Sequence, residues 1–157
     1  MKRLLIAFLA VTMVGAGCAA VSRPSNPVSQ QPTSSTELNL SGRRLTVIPA
    51  DVFERTDLTR LDLSNNRLTG APQSQIGRLT NLVELDLSGN ALTGLPAELG
   101  QLRNLQTLNV SNNQLTGLPM ELGNLTNLRV LDVSGNPYSS QDLEAIAAKL
   151  PNTEIRR

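Results

Sequence analysis

The side chains that could do chemistry in this chain are few. Histidine and tryptophan are absent, cysteine occurs once, and aromatic residues make up 2% of the sequence. These counts exclude most of the groups that act as catalytic bases, transition-metal ligands or base-stacking platforms. What remains is one thiol, Cys18, and a set of carboxylates that includes Asp62 and Asp86. The thiol offers a site for covalent modification, and the carboxylates offer a site for a cation or a basic peptide.

Length and charge narrow the class of protein further. The chain carries 14 basic and 13 acidic residues, so its net charge of +1 lacks the basic surplus of most nucleic-acid-binding proteins. At roughly 100 to 200 residues per domain, 157 residues hold one domain with short appendages. We therefore expect no nucleic-acid partner, no cofactor and no catalytic domain.

The first 17 residues have the composition of an export signal. Lys2 and Arg3 precede an apolar run over residues 4–14, and small residues follow at 15–17. This order is typical of a secretory signal peptide. The apolar run is shorter than the roughly 20 residues that span a bilayer as a helix. Residues 1–17 are therefore predicted to direct export and to be removed.

Cys18, directly after these small residues, resembles the modified cysteine of bacterial lipoproteins, although that family prefers leucine at the position of Gly15. The resemblance implies that Cys18 is lipidated and that the chain is a membrane-anchored protein of the bacterial cell envelope. Because Ala19 is not the aspartate that commonly retains lipoproteins at the inner membrane, it implies the outer membrane in a source with two membranes, and otherwise the cell surface. An ordinary signal peptide that leaves one exposed thiol is the alternative.

Residues 18–36 are predicted to form a tether between this anchor and the rest of the chain. Pro24, Pro27 and Pro32 lie there among serine, glutamine and asparagine. Such a composition buries too little apolar surface to offset the entropy lost on ordering, which predicts disorder.

From Leu38 onward one phrase of about 23 residues recurs. Four copies end at asparagines that are 24, 23 and 23 residues apart, and a fifth, degenerate copy ends at Arg43. The asparagine column consists of Asn66, Asn90, Asn113 and Asn136. A fixed period of this length predicts a solenoid. An asparagine amide both donates and accepts hydrogen bonds, so we expect the column to satisfy backbone groups inside each turn.

The copies fit the pattern LxxLxLxxNxL, by which residues 37–157 resemble leucine-rich repeat proteins. The resemblance implies an α/β solenoid, a curved array of about five repeats of 23–24 residues with short parallel strands on its concave face. The alternation Leu85-Asp86-Leu87 independently predicts a strand with one apolar face. Leucines every three or four residues, as at Leu99 and Leu102, then return the chain along the core.

Both ends of such an array need a cover. Residues 140–150 place Leu143, Ile146, Ala147 and Leu150 at helical spacing, which predicts a capping helix within a C-terminal cap at about 137–157. Residues 153–156 are predicted to add a last edge strand. The N-terminal edge shows no comparable cap. A further hypothesis is that a partner, or a second copy of the chain in weak self-association, covers this edge.

In leucine-rich repeat proteins the concave face is the usual recognition surface, so the resemblance implies a binding site there. The first row is Glu37, Arg60, Glu84, Thr107 and Val130; the second row is Asn39, Asp62, Asp86, Asn109 and Asp132; the third row is Ser41, Ser64, Ser88, Ser111 and Ser134. The first row varies most between repeats and is predicted to carry specificity.

Asp62 and Asp86 are expected to be neighbours on adjacent strands, about 4.8 Å apart. They could attract a cation, but a calcium site needs about six oxygens, and no such set is apparent. Two solvated surface acids are therefore the favoured interpretation. No aromatic platform or cleft accompanies them that would make them a glycosidase pair.

Two functions of different class follow from these predictions. The first is a non-enzymatic protein–protein interaction module, lipid-anchored to the envelope, that binds a protein or peptide on its concave face. The alternative is an architectural envelope lipoprotein that acts by self-association without a specific ligand on that face.

Overall fold

The structure, a computed structural model, describes residues 35–157. The predicted signal peptide, the candidate lipidation site and nearly all of the tether lie outside the described residues. Ser35 and Thr36, which their composition assigns to the tether, belong to the first repeat. The Thr36 carbonyl accepts hydrogen bonds from the backbone N–H groups of Thr59 at 2.7 Å and Arg60 at 3.2 Å. The folded array therefore includes these two residues.

Short strands recur once or twice in each repeat. In chain order they are β1 (Glu37–Asn39), β2 (Arg60–Asp62), β3 (Thr69–Gly70), β4 (Glu84–Asp86), β5 (Ala91–Leu92), β6 (Thr107–Asn109), β7 (Val130–Asp132) and β8 (Glu154–Arg156). A six-stranded sheet has the order β1-β2-β4-β6-β7-β8, and every pair in it is parallel. This arrangement confirms the predicted solenoid of short parallel strands.

The core is a stack of leucines supplied by successive repeats. Leu61, Leu85, Leu108 and Leu131 are register partners along the sheet and are fully buried. Each fully buried leucine contributes about 1.5–3 kcal/mol to stability. Because a leucine of one repeat is covered by its neighbours, the repeats stabilise one another and fold as a chain of nearest-neighbour contacts.

The chain returns along the opposite side of the core in short 3₁₀ helices. They span Ala50–Glu54, Ser74–Arg78, Ala97–Gln101 and Met120–Asn124. Leucines spaced by three fit this geometry, in which residues at i and i+3 lie on the same side. Leu99 and Leu102 are fully buried, and the Leu102 N–H donates to the Leu99 carbonyl at 3.1 Å. The predicted inward-facing return is therefore a 3₁₀ segment in each of these repeats.

A second, two-stranded parallel sheet is formed by residues that follow a strand of the main sheet and precede a 3₁₀ helix in the sequence. β3 pairs with β5, with Thr69 opposite Ala91. The sequence pattern does not predict this sheet, because each strand has only two residues and no alternation of apolar and polar positions. It joins the second and third repeats through backbone hydrogen bonds in addition to their leucine contacts.

The C-terminal end is covered as predicted. Helix α1 (Ser140–Ala147) buries Leu143 and Ile146 against the last repeat, and β8 pairs with β7. The helix ends before Leu150 because a residue that precedes proline disfavours the helical conformation. Within residues 35–157 no helix is long and apolar enough to cross a membrane.

The N-terminal edge is formed by β1, which pairs with β2 alone. Leu38 and Leu40 are only partly buried there. The Ser35 hydroxyl donates to the Glu37 carbonyl at 2.9 Å and accepts from the Glu37 N–H at 3.3 Å. One serine side chain thus forms hydrogen bonds with both backbone groups of Glu37 at the edge of β1.

Candidate functional site

The main sheet brings the candidate residues of each row into register. Glu37 lies opposite Arg60, Arg60 opposite Glu84, and Glu84 opposite Thr107. Strand β8, the predicted last edge strand, extends the first row by Glu154 and the second row by Arg156. The two rows form a surface across six strands that is polar at every position except Val130.

The first row contains an ion pair that the sequence analysis did not identify. Arg60 Nη2 contacts Glu84 Oε2 across β2 and β4. The hydrogen bond to Glu84, then the charges of Glu84 and Glu37, raise the pKa of Arg60. The two side chains are 52% and 38% exposed, and solvent-exposed pairs contribute little to stability. The pair therefore matters as a surface pattern, in which one guanidinium lies between two carboxylates.

In the second row, each of the two neighbouring carboxylates accepts a hydrogen bond from an asparagine amide. Asp62 and Asp86 are register partners. Asn39 Nδ2 donates to Asp62 Oδ2 at 3.2 Å, and Asn109 Nδ2 donates to Asp86 Oδ2 at 3.0 Å. Each carboxylate thus bonds with the asparagine on its outer side and away from the other acid. In the part of the chain that the structure describes, no group of three or more His, Cys, Asp or Glu is placed to hold a metal ion.

The third row is only partly accessible. Ser64 and Ser111 are buried, because the neighbouring Asn65 and Asn112 cover them and donate to their hydroxyl groups at 3.3 Å and 3.4 Å. The other three serines of the row, Ser41, Ser88 and Ser134, are half-buried. The accessible surface is therefore formed mainly by the first two rows.

A hollow of about 450 Å³ lies at the N-terminal half of the concave face. Its lining includes Glu37, Asn39, Arg60, Asp62, Glu84 and Asp86. The lining combines the exposed ion pair with three further carboxylates and contains no aromatic side chain. A ligand there would meet mostly hydrogen-bond acceptors and negative charge.

The asparagine column bonds to backbone groups of two repeats at once. Asn113 Nδ2 donates to the carbonyls of Leu87 and Val110, each at 3.0 Å, and Asn113 Oδ1 accepts from the Leu92 N–H at 3.0 Å. Leu87 and Leu92 belong to the preceding repeat, so the side chain links the turns of neighbouring repeats. The same pattern recurs at Asn66, and Asn90 and Asn136 repeat it in their own turns.

A second asparagine ladder runs along the flank of the array. Asn81, Asn104 and Asn127 each donate to a carbonyl of the preceding repeat, at 2.8, 2.9 and 2.8 Å. These three residues were not predicted as a column, although their spacing of 23 residues is visible in the sequence. Their exposed amides act as further links between repeats.

A parallel solenoid with leucine-lined turns and a polar sheet face is the architecture of a stacked repeat protein. The leucine-rich repeat family profile matches residues 34–92, 56–115 and 80–137. This chain belongs to the leucine-rich repeat family. The family and its structural neighbours are typically non-enzymatic interaction modules.

Solved structures of the same family resemble this domain. A leucine-rich repeat protein of Leptospira interrogans has 43% identity and a TM-score of 0.69 over 73% of this chain and 29% of that one. In the BIR3–SERK2 complex from Arabidopsis thaliana the matched chain has 40% identity and a TM-score of 0.59, over 65% of this chain and 56% of that one. An internalin of Listeria monocytogenes has 26% identity and a TM-score of 0.62, over 70% and 31%.

This chain therefore spans between about a third and just over half of the length of those relatives. A comparison with curated protein sequences finds no match.

Proposed function

We propose that the chain is an exported, lipid-anchored interaction module that binds a protein or peptide on the first two rows of its concave face. The observation that carries the proposal is the exposed triad of Glu37, Arg60 and Glu84 above the hollow of about 450 Å³. Charged side chains that vary from repeat to repeat on an otherwise regular scaffold supply specificity through electrostatic complementarity. The complex of relatives from Arabidopsis supports binding between proteins as the general activity of this fold.

The first prediction tests recognition at this triad. Arg60→Glu, combined with Glu84→Arg, keeps opposite charges on the paired strands β2 and β4 but reverses the charge that each position presents. If the face recognises a partner, a photo-crosslinker at Thr107 in the same row gives a discrete adduct in cells, and the swapped pair reduces that adduct by at least tenfold, as expected when close charge pairs are inverted. Thermal unfolding of the swapped variant stays unchanged, because the exposed pair contributes little to stability.

A matched control separates recognition from charge in general. Arg78→Glu with Glu54→Arg makes the same exchange at an exposed ion pair of the 3₁₀ helices, outside the two rows. This control is expected to leave the Thr107 adduct intact. An adduct that survives the swap at Arg60 and Glu84 contradicts the proposal. Self-adducts alone would favour the architectural alternative.

The second prediction concerns the anchor. Cys18 is the only cysteine, so Cys18→Ser removes the single candidate acylation site without affecting another thiol. The unsubstituted chain is expected to partition into the detergent phase of a Triton X-114 extraction and to carry acyl groups by mass spectrometry, because several acyl chains anchor a protein stably. The Cys18→Ser chain is expected in the aqueous phase after signal removal. Acyl-free wild-type protein would contradict the proposed anchor.

A further inference from the structure

The first repeat departs from the later ones at an exposed apolar position. Its phrase after the strand is Leu45-Thr46-Val47-Ile48-Pro49, whereas the later repeats have glycine in place of Val47, at Gly70, Gly94 and Gly117. Val47 is 57% exposed and is a large apolar side chain open to solvent. The later repeats show that the fold does not require a side chain at this position.

The same turn carries an arginine in an unfavourable backbone conformation. Arg44 has φ of 60°, a left-handed conformation that residues other than glycine, asparagine and aspartate rarely adopt. Every other residue with positive φ in the described part of the chain is glycine or asparagine. A strained position that keeps a long charged side chain indicates a role for that side chain.

Two further arginines extend this surface. Arg43 stands where later repeats have the column asparagine, and Arg67 follows Arg44 at the same position of the next repeat. The Arg67 N–H donates to the Leu45 carbonyl at 2.8 Å, so the two turns lie side by side. All three arginines are exposed, and among residues 35–157 none of them forms an ion pair. We name Arg43, Arg44, Arg67 and Val47 the basic rim.

Charge is distributed unequally between the basic rim and the concave face. The first two rows, extended by β8, hold six carboxylates and two guanidinium groups; they are Glu37, Asp62, Glu84, Asp86, Asp132 and Glu154, with Arg60 and Arg156. An anionic surface would therefore attract the rim and repel the concave face.

We infer that the basic rim rests on an anionic lipid surface and leaves the concave face free for its partner. The inference rests on the proposed anchor at Cys18. Only residues 19–34 separate that cysteine from Ser35 in the first repeat, so even a fully extended chain keeps Ser35 within about 60 Å of the anchor, which gives the domain a high effective concentration at the bilayer. Arginines bind the anionic headgroups, and Val47 adds apolar contact at the interface. Anionic membranes attract clustered basic residues with an exposed apolar side chain, and a lipid anchor on the same chain adds to that attraction.

The test uses the full lipidated chain in vesicles, with a fluorophore on Thr46→Cys beside the rim or on Gln141→Cys at the far cap. Vesicles of phosphatidylcholine carry a lipid-linked quencher, with or without about 30 mol % phosphatidylglycerol. We expect quenching of the Thr46 label only with phosphatidylglycerol and no quenching at Gln141. Replacing Arg43, Arg44 and Arg67 by glutamine is expected to lower the docking equilibrium about 100-fold, at about fivefold for each arginine.

The control variant replaces Arg78, Arg129 and Arg157 by glutamine, which removes the same charge from other surfaces. It is expected to keep the quenching. Equal quenching in both vesicle types, or quenching that survives the three rim substitutions, overturns the inference while the anchor stands. A chain without acyl groups contradicts the anchor alone; the rim is then judged by whether added phosphatidylglycerol vesicles quench the Thr46 label. Protein adducts from position 47 without lipid-dependent quenching would assign the rim to an acidic partner protein.

Discussion

Asn113→Ala is expected to lower the free energy of unfolding by about 3 kcal/mol. The side chain is buried and bonds to backbone groups on both of the turns it joins. Alanine would leave the Leu92 N–H unpaired in the interior, and it would remove one of two asparagine donors from each of the carbonyls of Leu87 and Val110, which Asn90 and Asn136 also contact. An unpaired buried group costs about 1–3 kcal/mol, and the loss of a donor at each of the two carbonyls places the expected change at the upper end of that range. Urea denaturation followed by far-UV circular dichroism measures the change.

The matched control for this prediction is Asn104→Ala. Asn104 also donates across repeats, to the Thr80 carbonyl at 2.9 Å, but its side chain is exposed and water can replace the bond. We expect a loss of less than about 1 kcal/mol. Asn113→Asp distinguishes the acceptor role of the amide from its donor role. The carboxylate can still accept from the Leu92 N–H, but it can donate to neither carbonyl. A loss at Asn113 no greater than at Asn104 would show that the column is not what holds the turns together.

Repeat spacing was sufficient to predict the strands of the six-stranded sheet and their register. Once leucines alternate with polar residues and the phrase returns after 23 or 24 residues, Glu37, Arg60 and Glu84 must fall side by side. The cap was equally readable, because Leu143 and Ile146 have helical spacing before a proline. Both predictions depend only on periodicity, which can be read directly from the sequence.

Contacts between side chains of neighbouring repeats could not be predicted from periodicity. Asn65 and Gly89 occupy the same turn position in neighbouring repeats, and a Cβ at Gly89 would lie 2.7 Å from Asn65 Oδ1. Asn112 and Gly135 repeat the relation, with 2.6 Å. Glycine is therefore favoured in the repeat after such an asparagine, because an added side chain would meet the neighbouring amide and because both glycines have positive φ. The pattern is visible in the sequence as alternating Ser-Asn-Asn and Ser-Gly-Asn, but its cause is a distance between side chains that periodicity does not give.

The ion pair on the concave face shows a different limit. Arg60 and Glu84 were predicted to be neighbours, and opposite charges on adjacent strands attract, so the pairing was within reach of the sequence. The burial of Ser64 and Ser111 was not, because it depends on the rotamers of Asn65 and Asn112. Which polar residues a ligand can touch is therefore settled by side-chain conformations.

Gly100→Ala is expected to destabilise the array by about 3 kcal/mol, the upper part of the range for overpacking. Gly100 lies in the 3₁₀ helix Ala97–Gln101 and is buried against the next repeat. A Cβ there would lie 2.5 Å from the Glu121 carbonyl oxygen and 2.8 Å from the Glu121 Cβ. Since the obstacle is backbone, no rotamer change relieves it and the two repeats must separate. Separation exposes the leucines between them, which the same urea denaturation experiment reports.

Two other glycines test whether this contact is the cause. At Gly123 the atom nearest to an added Cβ is Lys149 Cδ, at 2.5 Å, in a flexible and exposed side chain that can move aside. Gly123→Ala is therefore expected to cost less than about 1 kcal/mol. Gly94 has nothing within 4 Å of an added Cβ, so Gly94→Ala is expected to be neutral or to stabilise by about 0.5 kcal/mol, because alanine restricts the unfolded chain. Equal losses at Gly100 and Gly123 would mean that the flexibility of the glycines, and not the approach of Glu121, explains their place in the repeat.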